Sequence, residues 1–133
     1  MKKIVSIILI LILSCTFSGC MLNFGEQYPT IDGIELYGSL KSYDVGKYTF
    51  IEGNLENTTN EDVTDYAVLV EVYDEYGNYI ITASKINQTL IEAGDTKYFS
   101  VRFNTSDLSG NELDLEKCKV LVVTQETYDA RYN

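Results

Sequence analysis

The alternation of apolar and polar residues between Tyr48 and Asn104 constrains this chain more than any other feature. In Tyr48–Asn57, Ile51, Gly53 and Leu55 fall on one side of an extended backbone, and Glu52, Asn54 and Glu56 fall on the other. A period of two is the signature of a strand with one buried face. Val68, Val70 and Val72 repeat it between Tyr66 and Asp74, opposite Glu71. Phe99, Val101 and Phe103 repeat it between Tyr98 and Asn104, opposite Ser100 and Arg102. Tyr79 to Gln88, rich in Ile and Thr, is a further strand, and the apolar run from Val120 to Gln125 predicts a central one. Ile31 to Tyr37 predicts an edge strand, followed by a connection from Gly38 to Gly46 in which Leu40 and Tyr43 pack down.

Turn formers separate these segments at Asn57–Thr64, at Asp74–Asn78, where Gly77 supplies positive φ, and at Glu92–Asp95. Gly53 in mid-strand predicts a bulge or the close approach of a facing backbone. Thr105 to Glu116 predicts a helical turn capped by Ser106 or Asp107, with Leu108, Leu113 and Leu115 over one end of the core. The expected fold is all-β: an immunoglobulin-like antiparallel β-sandwich of about six to seven strands. The tryptophan and inter-sheet disulfide of antibody domains are missing, because the chain has no Trp and three Cys.

The N-terminus carries a different signal. Met1-Lys2-Lys3 precedes an apolar run, Ile4 to Leu13, broken only by Ser6. That run is shorter than the roughly 20 residues a spanning helix needs, and it reads as the core of a cleaved signal peptide. Phe17-Ser18-Gly19-Cys20 resembles the lipobox of bacterial and archaeal lipoproteins, with Phe17 where Leu is usual. Small residues there let a peptidase grip extended backbone, and the Cys20 thiol accepts the lipid. Ser14-Cys15 lacks the small-residue run. The resemblance implies a signal peptide over residues 1–19, a lipid-anchored tether over 20–30, a domain over 31–128 and a polar tail over 129–133. It implies a location on the outer side of the cell membrane.

Such cleavage removes Lys2 and Lys3 and deepens a formal charge of −10 by two. A surface this acidic repels phosphate backbones, so nucleic acid is not an expected partner. With Cys15 removed and Cys20 acylated, Cys118 has no partner for an intrachain disulfide, and it is expected to be a small buried hydrophobe.

Glu52-Gly53-Asn54-Leu55-Glu56-Asn57, then Val70-Glu71-Val72-Tyr73-Asp74 with Gly77, then Glu92-Ala93-Gly94 before Phe99 together resemble the FxLYD family. These are β-sandwich modules of secreted and lipid-anchored prokaryotic proteins. The resemblance covers about Tyr48 to Asn104. Val70 and Val72 stand where the family's Phe and Leu would be, and Ala93 where Pro is usual. It implies the sandwich fold and no activity.

The chain has no histidine, which excludes His-based triads and most zinc or copper sites. No cofactor is expected. The carboxylate-bearing loop of Glu61, Asp62 and Asp65 and the turn of Asp74, Glu75 and Asn78 are weak calcium candidates, since hard oxygens suit that ion but the ordered D-x-D-x-D-G spacing is missing. Eleven tyrosines are an excess, and Tyr66, Tyr73, Tyr76 and Tyr79 around the central hairpin are the candidate binding surface. Asn57, Asn87 and Asn104 each open an N-x-[ST] triplet and are candidate glycosylation sites. The expected function is non-catalytic binding of an envelope protein or polymer at the cell surface. A structural accessory role in an envelope complex and a calcium-dependent module are the alternatives.

Overall fold

In the computed structural model, residues 29–132 are described; the expected signal peptide, Cys20 and most of the expected tether fall outside them. Among the described residues, six strands form two antiparallel three-stranded sheets that pack as a β-sandwich. The strands are β1 (Ile34–Val45), β2 (Tyr48–Asn57), β3 (Val63–Tyr73), β4 (Tyr79–Ile91), β5 (Thr96–Asn104) and β6 (Lys119–Thr124). A short 3₁₀ turn, Thr105–Leu108, follows β5, and helix α1 (Gln125–Tyr132) follows β6 directly. The first sheet has the order β1-β2-β5 and the second β4-β3-β6.

The core lies between the sheets, where the predicted alternation places it. Ile51, Leu55, Phe99, Val101 and Phe103 from the first sheet meet Tyr66, Val68, Val70, Val72 and Val122 from the second. Gly53 sits in that layer with no bulge in β2. A Cβ built there would lie 3.0 Å from Leu40 and 3.1 Å from the Phe99 ring. It is side chains, not a facing backbone, that need the space.

The structure corrects four expectations about elements. The segment Gly38–Gly46 is not a connection: β1 runs on to Val45, interrupted by an irregularity in register between Tyr37 and Lys41. That irregularity lets Leu40 turn inward over Gly53. β6 is an edge strand, not a central one. Its outer apolar residues are covered instead by α1, where Tyr128 packs with Ala67, Leu69, Leu121 and Val123. Residues 129–132 of the expected polar tail belong to this helix, which is capped where the Thr124 hydroxyl accepts the Thr127 N–H at 3.0 Å. Eight residues form a marginal helix alone, so packing on the sheet holds it. Finally, the 3₁₀ turn has Asn104 as its N-cap residue, with no side-chain cap from Ser106 or Asp107. Leu108 is buried beneath it, and Leu113 and Leu115 pack against the core as expected.

Candidate interaction surface

Two buried polar side chains fix the loops at either end of the sandwich. Asn57 closes β2 and is fully buried. Its amide donates to the carbonyls of Glu61 at 2.8 Å and Ile91 at 3.0 Å. Its Oδ1 accepts from the N–H of Thr59 at 3.0 Å and from that residue's hydroxyl at 2.6 Å. A side chain with every hydrogen bond taken inside the fold cannot accept a glycan, which corrects the Asn57 expectation. Asn104 is exposed at the end of β5, and the Asn87 side chain is outside the described set.

Asp74 does the same work at the opposite end. Its Oδ1 accepts from the N–H groups of Tyr76 and Asn78, both at 2.9 Å. Its Oδ2 accepts from the amides of Asn78 at 3.2 Å and Asn111 at 3.3 Å. Burial alone would raise this carboxyl, but the donors outweigh it and hold it below its ordinary 3.8. The turn therefore presents donors to Asp74, among them the Asn78 amide, where a calcium site needs converging oxygens. In the other calcium candidate, Asp62 accepts the Ala93 N–H at 2.9 Å. Among the described residues, no group of three His, Cys, Asp or Glu side chains is placed to hold a metal.

The four candidate tyrosines do not form one surface. Tyr66 shares the parity of Val68, Val70 and Val72 and is fully buried, so it is core. Tyr73 and Tyr79 meet edge to face at 5.9 Å beside the hairpin, and Tyr76 lies at its tip, 71% exposed and hydrogen-bonded to Glu75.

A different aromatic surface is present, on the outer face of β1-β2-β5. Register brings Val45, Tyr43 and Lys41 on β1 beside Tyr48, Phe50 and Glu52 on β2, with Arg102 and Ser100 alongside on β5. Beyond the β1 irregularity, Tyr37 and Tyr98 flank Asn54, and Glu35 lies beside Glu56. Tyr43 and Phe50 stack at 5.2 Å with their rings 4° apart. Arg102 lies 4.4 Å and Lys47 5.4 Å from the centre of the Tyr48 ring. The Tyr98 hydroxyl donates to Glu52 at 2.7 Å. That bond, desolvation and the Glu52 charge raise the phenol, against an opposing hydrogen bond with Ser100. Tyr37, Tyr43, Val45 and Tyr98 are all more than 40% exposed. Rigid aromatics held by an arginine are what protein-recognition patches are enriched in.

Sequence reasoning missed this face because it needs the pairing of β1 with β2. The outward parity of Tyr48 and Phe50 with Glu52 was readable; the neighbours across the ladder were not.

An apolar cleft of ≈ 430 Å³ opens elsewhere, between Leu36, Ser39 and Leu40 of β1 and Leu115, Glu116 and Cys118. The Cys118 thiol donates to the Asp114 carbonyl at 3.3 Å. Burial pushes it above its ordinary 9.0, against a hydrogen bond with the Tyr73 backbone, which leaves it a poor nucleophile. It is half-buried and packs on the core.

No protein-family model matches the chain, and a search of curated proteins also finds no match. Among solved structures, a β-glucuronidase from glycoside hydrolase family 2 aligns at 13% identity with a TM-score of 0.34. The alignment covers 54% of this chain and 7% of that one.

Proposed function

We propose that this chain is an FxLYD-like surface lipoprotein, anchored through lipid on Cys20, whose β-sandwich is a non-catalytic interaction module. The observation that carries this reading is a contrast between the two outer faces. Helix α1 covers the outer side of Ala67, Leu69, Leu121 and Val123 on β3 and β6, whereas no element covers the aromatics of the β1-β2-β5 face among the described residues. Exposed rings ordered by mutual contacts lose little entropy when a partner covers them.

The test uses the anchored chain in intact cells, with a photo-cross-linkable residue at position 54 in the middle of the open face or at exposed Glu92 on a loop. Position 54 is expected to give a discrete adduct that weakens when Tyr43 and Tyr98 are changed to Ser, and position 92 is expected to give none. Equal labelling from both positions would sink the assignment of the face. In the same cells Cys20→Ala is expected to leave the membrane fraction; retention there would remove the anchor from the proposal.

A further inference from the structure

We infer that the partner on this face is a second copy of the same chain, docked face to face about a two-fold axis. The inference rests on the reading of the β1-β2-β5 face as the interaction surface and adds the identity of its occupant. The face is polarised along its strands. One end carries Lys47 and Arg102 over Tyr48, with Tyr43, Phe50 and Val45 around them. The other end carries Glu35 beside Glu56, with Tyr37 and Tyr98 just inside. A two-fold axis crossing the strands at the level of Lys41, Glu52 and Ser100 reverses one copy against the other. It sets the basic end of each on the acidic end of its mate, Lys47 towards Glu56, Tyr43 over Tyr37 and Arg102 over Tyr98.

Net charge strengthens the choice. With 20 acidic against 10 basic side chains, two copies repel in a random orientation. This face balances Lys41, Lys47 and Arg102 against Glu35, Glu52 and Glu56, so it offers an approach without the net repulsion of other orientations. Three strands about 4.8 Å apart and ten residues at about 3.3 Å each give a projected area on the order of 450 Å² per copy. A standard stable interface buries about 800 Å² per partner, so this one is weak in dilute solution. Confinement of copies to one membrane would raise their effective concentration and make such an interface sufficient.

The experiment uses the anchored chain in intact cells, in a Cys118→Ala background, with a short bis-maleimide cross-linker. Position 100 lies on the proposed axis, so Ser100→Cys is expected to give a product of twice the chain's mass, and Glu92→Cys is expected to give none. Lys47→Glu, and separately Glu56→Lys, are expected to cut the Ser100→Cys product at least about fivefold, a change in the range of one rim charge pair. The two reversals together are expected to restore it. A monomeric chain at every expression level, or reversals without effect, would overturn the dimer. An adduct from position 100 of another mass that depends on Tyr43 would overturn the dimer yet keep the face as an interaction surface. Equal products from positions 100 and 92 would take both readings down.

Discussion

At the scale of single residues, three buried polar groups behave differently because their hydrogen bonds differ. Asn57 and Asp74 have theirs satisfied and act as knots between loops distant in sequence. The Tyr66 hydroxyl is buried with no partner among the described residues, and burial raises its phenol above 10.0. An unmade hydrogen bond has a desolvation cost with nothing to offset it. Tyr66→Phe is therefore expected to raise stability by up to about 1 kcal/mol in urea denaturation; a clear loss would show that the hydroxyl is bonded after all. Asp74 predicts the acid limb of stability. Its folded carboxyl titrates below 3.8, so its contribution is complete above that value and is lost as pH falls through the lower, folded one. In Asp74→Asn this part of the acid limb is expected to flatten in thermal melts between about pH 5 and 2. The core position of Tyr66, which was expected at the binding surface, follows from its shared parity with Val68. The roles of Asn57 and Asp74 were not legible in the sequence, because their partners at Ile91 and Asn111 lie far along the chain.

Elements show where local pattern is enough and where it fails. β2, β3 and β5 follow from alternation alone, and Gly77 takes its expected left-handed φ of 80° in the β3–β4 turn. β1 was cut short because Gly38 and Ser39 break the period at the irregularity, and only pairing with β2 reveals one continuous strand. β6 looked central because both its faces are apolar; period cannot tell a covering helix from a neighbouring strand. The irregularity in β1 and the small residue in β2 depend on each other. Gly53→Ala is expected to cost about 1–2 kcal/mol, because the Leu40 tip can retreat but the Phe99 ring, 2% exposed, cannot. Chemical denaturation measures it, and pairing Gly53→Ala with Leu40→Ala is expected to recover part of the loss.

For the molecule as a whole, charge and architecture pull in different directions. A formal charge of −10 on a chain of 133 residues places like charges close together over a small sandwich. Screening should relieve that repulsion, since the Debye length falls from about 10 Å at 0.1 M salt to about 3 Å at 1 M. Tm is expected to rise with NaCl over this range, and a fall would mean that the local contacts at Lys47 and Arg102 outweigh the net repulsion. The acidity was fully legible in the composition. Its uneven placement was not, because it follows from which strands are neighbours.

The entry of the chain into the fold also has a mechanical consequence. Ile31 N–H bonds the Val122 carbonyl at 2.8 Å, and Gly33 holds Thr58, before β1 begins its ladder with β2. A pull on the preceding segment, resisted by whatever grips the open face, first loads these few bonds. It then passes along the β1–β2 ladder in shear, where many bonds share the tension at once. Once the Ile31 bond to β6 has yielded, the force path stays within the first sheet, and the knot at Asp74, the β3–β4 ladder and α1 lie outside it.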